Sequence, residues 1–75
     1  MYYIAQTNDR GTTFFLVDRR LVEHKWWTLS LDQAFAIDSM DLAKQTLSRF
    51  KKKEITVISK ERAEFLEEIN LTEIK

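Results

Sequence analysis

The side chains that could carry chemistry are few. His24 is the sole histidine, with Glu23 and Lys25 on either side and no nucleophile signature elsewhere. A nucleophile needs an activating base that is itself held by an orienting group, so His24 reads as a strand histidine in partial contact with water. Glu61, Glu64 and Glu68, joined by Glu67, form an acidic stripe. Carboxylates at such helical spacing are the ordinary dress of a solvated face, or a contact for a basic partner surface, before they are an acid-base pair. With one glycine and no cysteine, the chain offers neither a phosphate-cradling loop nor a thiolate metal site. Catalytic, cofactor and metal roles are therefore assigned to no residue, and we expect no enzyme.

Aromatic doublets are more informative. Tyr2-Tyr3, Phe14-Phe15 and Trp26-Trp27 each place two rings in succession. In a strand successive side chains point to opposite faces, so a single helix on one face would leave half of these rings uncovered. Clustered exposed aromatics are typical anchors of protein interfaces. Trp26, Trp27, Phe15 and Tyr3, with Glu61, Glu64 and Glu68 as a second surface, are the candidate partner-binding residues. Two competing outcomes are a three-layer core, in which the last helix covers the second face, and a homodimer through that same aromatic face.

Cations point to a different ligand. Between residues 41 and 60, Lys44, Arg49, Lys51, Lys52, Lys53 and Lys60 stand against only Asp41 and Glu54, although the whole chain is neutral with 12 basic and 12 acidic residues. Lys44, Arg49 and Lys51 to Lys53 could contact phosphates while the tryptophans stack on bases, making nucleic acid the alternative partner. A helix C-terminus that attracts lysines through its dipole accounts for Lys51 to Lys53 equally well.

The elements that must position these residues follow from periodicity. Residues 1 to 7 alternate as a strand, Asn8-Asp9-Arg10-Gly11 turns the chain, and Thr12 to Asp18 returns as a second strand with apolar residues on both faces. Arg19 to Thr28 is a third strand candidate. Ser30-Leu31-Asp32-Gln33 matches a capping box opening one helical turn, and Ala34 to Ile37 reads as a brief edge strand. Asp38-Ser39 caps a helix from Met40 to Lys52, with Met40, Ala43, Leu47 and Phe50 as its apolar stripe and Leu42 beside it. Glu54 to Ser59 is a short strand. Ser59 then caps a second helix from Lys60 to about Asn70, with Ala63, Leu66 and Ile69 apolar, Phe65 flanking them and a frayed tail from residue 71 to 75.

At 75 residues, with 44% hydrophobic content, the chain suffices for one folded domain over residues 1–75 and no more. The order β-β-(β)-β-α-β-α predicts a small α+β domain, an antiparallel sheet packed on one main helix with a second, C-terminal amphipathic helix. The residues from Met1 to Gln6 lack a basic region followed by a long apolar run, and no apolar stretch reaches membrane-spanning length. We expect a cytoplasmic protein without a membrane partner.

Several of these features occur together in a recognisable order. The aromatic N-terminal hairpin, then Trp27-Thr28, Leu31-Asp32-Gln33-Ala34-Phe35-Ala36-Ile37-Asp38-Ser39, Leu42-Ala43 in a helix and Ile55-Thr56-Val57 in a strand resemble small uncharacterised α+β proteins of bacteriophages and prophages. The resemblance implies a host-takeover or anti-defence factor of the anti-CRISPR kind. Such a protein would bind a bacterial host protein, such as a defence nuclease, and act by steric occlusion. It carries over no functional residue.

Overall fold

The apolar residues of the N-terminal hairpin divide between two cores. Tyr3, Ala5 and Phe15, with Ala34 and Ala63, are buried on one side of the sheet, where Leu31, Ile58 and Leu66 pack against them. Ile4, Leu16, Ile37, Ala43 and Ile55 are buried on the other, under Tyr2, Trp27, Phe35, Leu47, Phe50 and Val57. Alternation along the strands produces this division, since neighbours such as Tyr3 and Ile4, or Phe15 and Leu16, must face opposite ways.

The computed structural model describes residues 1–73. Its sheet comprises β1 (Tyr2–Thr7), β2 (Thr13–Leu16), β3 (Trp27–Thr28) and β4 (Ile55–Ser59). The strands are antiparallel in the order β3-β2-β1-β4. Helix α1 (Met40–Leu47) covers one face and helix α2 (Lys60–Glu73) the other. The chain is thus a small α+β protein, and the sheet is covered on both sides. No helix among the described residues is long and apolar enough to cross a membrane.

The β1-β2 loop is organised by Asn8, whose Oδ1 accepts from the backbone N–H groups of Arg10 (2.9 Å) and Thr12 (3.0 Å). Gly11 sits at φ 84°, the left-handed conformation that glycine adopts without a Cβ penalty. The expected third strand shrinks to Trp27–Thr28, because the chain after Val17 leaves the sheet in a turn held by Asp18. Nor is Ala34 to Ile37 an edge strand. It fills the fork where β2 diverges from β1, bridging Val17 through Ala34 and Tyr2 through Ile37.

The capping box at Ser30 is also replaced. A short 3-10 turn does form at Leu31–Gln33, but the Ser30 side chain caps nothing. Its amide donates to Thr28 Oγ1 (3.1 Å), and Gln33 Oε1 accepts the Thr28 hydroxyl (2.9 Å). The free Leu31 N–H instead donates to the Glu67 carboxylate of α2 at 2.6 Å.

Helix α1 starts where the sequence places it, with Ser39 Oγ accepting from Leu42 N–H at 3.1 Å. It ends five residues early. The Thr46 hydroxyl donates to Leu42 C=O (2.9 Å) and the Ser48 hydroxyl to Gln45 C=O (2.6 Å), side-chain bonds that compete for the helix's own carbonyls. Phe50 then folds back onto Trp27, ring centroids 5.6 Å apart. Met40, expected inside, is 39% exposed.

Helix α2 opens as predicted, Ser59 Oγ accepting from Arg62 N–H at 3.2 Å. It extends past Asn70 to Glu73, so Leu71 and Thr72, expected to fray, are helical; residues 74 and 75 lie outside the described residues. Its inward face buries Ala63 and Asn70, with Leu66 and Ile69 half-buried beside them. The Asn70 amide closes on the backbone of β2, donating to Thr13 C=O (2.6 Å) and accepting from Thr13 N–H (3.2 Å).

Candidate functional site

Burial removes two of the predicted interface aromatics. Phe15 is fully buried and Tyr3 is 7% exposed, their rings meeting edge to face at 6.5 Å beneath α2. They are core, and the reason is α2, which supplies the second cover that one helix could not. Burial pushes the Tyr3 hydroxyl pKa up, with the Glu64 and then the Glu67 carboxylate adding to the effect. Trp27 is half-buried against Phe50. Trp26 alone of the four stands open, 56% exposed.

Two contacts place Trp26. Its carbonyl accepts from Val17 N–H at 2.9 Å, fixing the residue beside the end of β2. The turn from Asp18 then brings Arg19 over the indole, guanidinium carbon 4.2 Å from the ring centroid. Asp18 holds that turn. Its Oδ1 accepts from Arg20 N–H and Nε (both 3.0 Å), its Oδ2 from Arg20 Nη2 (2.8 Å), and its C=O from Leu21 and Val22 N–H. The Arg20 side chain, then its backbone N–H, hold the Asp18 carboxyl below the usual carboxylate range, outweighing the opposing effect of desolvation. Nothing in the sequence reading singled out Asp18. The available signal was an Asp two residues before a cation after a strand, the pattern of an Asx-type turn.

Trp26 heads a groove of about 480 Å³. Its floor is Leu16, Val17 and Phe35, and one wall is Leu42, Thr46 and Arg49 of the α1 flank. Arg20 is neutralised by Asp18, the one salt bridge among the described residues, so Arg19 and Arg49 carry charge to the rim without a carboxylate partner. An apolar trough flanked by two guanidiniums suits an apolar side chain bordered by carboxylates, which guanidinium forks bind bidentately.

The predicted basic patch is dispersed. Lys44 lies within α1, whereas Arg49 follows the end of the helix at Leu47. Lys51 to Lys53 lie beyond the helix in an exposed loop, which removes the dipole account of their position. Lys52 and Lys53 line a shallow cleft with Gln6 to Asp9 and Glu54. Only Arg49 of this set reaches the Trp26 groove.

On α2, Glu61, Glu64 and Glu68 are exposed while Glu67 turns inward to cap the 3-10 turn. Phe65, expected merely to flank the apolar stripe, is 52% exposed, with the Arg62 guanidinium 5.4 Å from its ring centroid. His24 is exposed in the segment leading to β3. No family model matches this chain, and comparison finds no similar curated protein and no similar solved structure.

Proposed function

We propose that this protein is a non-enzymatic binding module of the phage type, which occludes a surface of a bacterial host protein through the Trp26 groove. The observation that supports this most directly is a 56% exposed tryptophan under an arginine at the mouth of an apolar trough. A large ring held in water by a formed turn costs solvation that a partner recovers on binding, and Trp and Arg are the residues that most often dominate interface energy. The partner presents an apolar side chain flanked by acidic residues, matching the trough and the rim of Arg19 and Arg49. Occlusion follows from steric bulk, with rim charge steering the encounter.

A protein partner is favoured over nucleic acid because the groove floor is apolar and no lysine lines it. Phosphate backbones reward a continuous line of cations. The test is affinity capture from nuclease-treated bacterial lysate with the wild type, Trp26→Ala and Phe65→Ala, all checked for folding by circular dichroism. One protein retained in stoichiometric amount by the wild type and Phe65→Ala, and at least about tenfold weaker with Trp26→Ala, is the expected result. Capture indifferent to Trp26, or retention only before nuclease treatment, overturns it.

A further inference from the structure

The two edges of the sheet are unequal. β3 is an edge of two residues, too short to template another strand. β4 is an edge of five, Ile55-Thr56-Val57-Ile58-Ser59, in unbroken register with β1 from Ile55↔Gln6 to Ser59↔Tyr2. It carries none of the devices that guard free edges: no proline, no charge within the strand and no bulge. Thr56 is exposed and Val57 and Ile58 are half-buried.

Hydrogen-bond alternation shows which backbone groups are free. Lys60 N–H donates to Met1 C=O (3.0 Å), while Tyr2 exchanges both of its bonds with Ile37, on the opposite side of β1. In an antiparallel ladder the direction alternates by residue, so Ile58 and Thr56 turn their polar groups to β1 and Ser59, Val57 and Ile55 turn theirs outward. Of these, Ile55 N–H is satisfied by Lys52 C=O (3.3 Å) and Val57 C=O accepts the Thr56 hydroxyl at a long 3.5 Å, while the alternation turns Val57 N–H away from β1.

We propose that this edge joins two copies of the chain, β4 pairing antiparallel with β4 about a two-fold axis at Val57. In that register the Val57 N–H and C=O groups exchange with those of the partner's Val57. Each Ser59 N–H reaches the partner's Ile55 C=O, and Thr56 lies opposite the partner's Ile58. The flanks select the second copy as occupant. Glu54 falls opposite the partner's Lys60, and Lys53 comes to the start of the partner's α2, where Glu61 stands. Each contact occurs twice by symmetry, so a sequence that is locally self-opposed in charge becomes complementary across the axis. The product is an eight-stranded sheet with a β3 edge and a Trp26 groove at each end, so the inference is independent of what the groove binds.

Sedimentation velocity from about 1 µM to about 1 mM tests it, because an interface this small supports dissociation on the order of 10 µM. The variants are Glu54→Lys, Lys60→Glu and the double swap, with urea midpoints as the control for folding. We expect a dimer that each single reversal weakens about tenfold and the swap restores. A monomer throughout the range overturns the proposal, and so does a dimer indifferent to the reversals. If the reversals unfold the chain, Val57→Pro keeps the test alive. The Val57 N–H faces away from β1, so proline costs the β1 ladder no bond but removes the donor at the two-fold axis, and an undiminished dimer would again refute the pairing.

Discussion

Tyr3 shows how a single buried polar group couples the core to pH. Its ring sits against Phe15, and burial, with Glu64 and Glu67 nearby, raises its pKa above the ordinary value of 10.0. Folding thus favours the protonated phenol. The corresponding stability is complete below pH 10 and is lost as pH rises through the higher folded-state pKa. In an alkaline titration followed by tyrosinate absorbance, ionisation of Tyr3 should lag beyond pH 10 and coincide with loss of tertiary signal. Tyr3→Phe should shift the alkaline midpoint upward; an unchanged midpoint would show that Tyr3 does not limit alkaline stability. At this scale the sequence was a partial guide. It marked Trp26 and Tyr3 alike as interface aromatics, because residue type does not say whether a ring ends under a helix or over open water. It passed over Asp18 and Asn70, whose importance comes from backbone groups that the fold alone brings to them.

Between elements, polar clamps do what apolar stripes leave undone. The Asn70 amide pairs with Thr13 on β2, and the Glu67 carboxylate caps the 3-10 turn, so α2 is tied to two elements remote from it in sequence. Replacing Asn70 by Ala leaves Thr13 N–H and C=O buried without partners, a loss of about 2–4 kcal/mol. Urea denaturation should register it as a lower midpoint with an unchanged slope, and a change below about 0.5 kcal/mol would mean that water substitutes for the amide. Helix positions and starts were legible here, since capping by Ser39 and Ser59 is local chemistry. The early end of α1 was not, because it depends on Thr46 and Ser48 turning back on the helix and on Phe50 finding Trp27.

Across the whole molecule, β1 is the axis. It is paired on both sides and covered on both faces, with Ile4 fully buried, whereas β3 has two residues at a free edge. Native-state hydrogen exchange should find the amides of Tyr3, Ile4 and Ala5 the slowest, exceeding that of Thr28 by about a hundredfold or more. Uniform protection would show that β3 is as firmly held as the centre. The α+β class, the hairpin, both helix starts and β4 could be determined from sequence alone, because periodicity, capping and turn chemistry act within a few residues. Tertiary structure decided that α2 seals the second face, burying Phe15 and Tyr3, that Lys52 and Lys53 line a different cleft from Arg49, and that Trp26, Arg19 and Arg49 share one groove. Each of those outcomes depends on which distant segments meet, and a side chain's exposure is a property of what covers it.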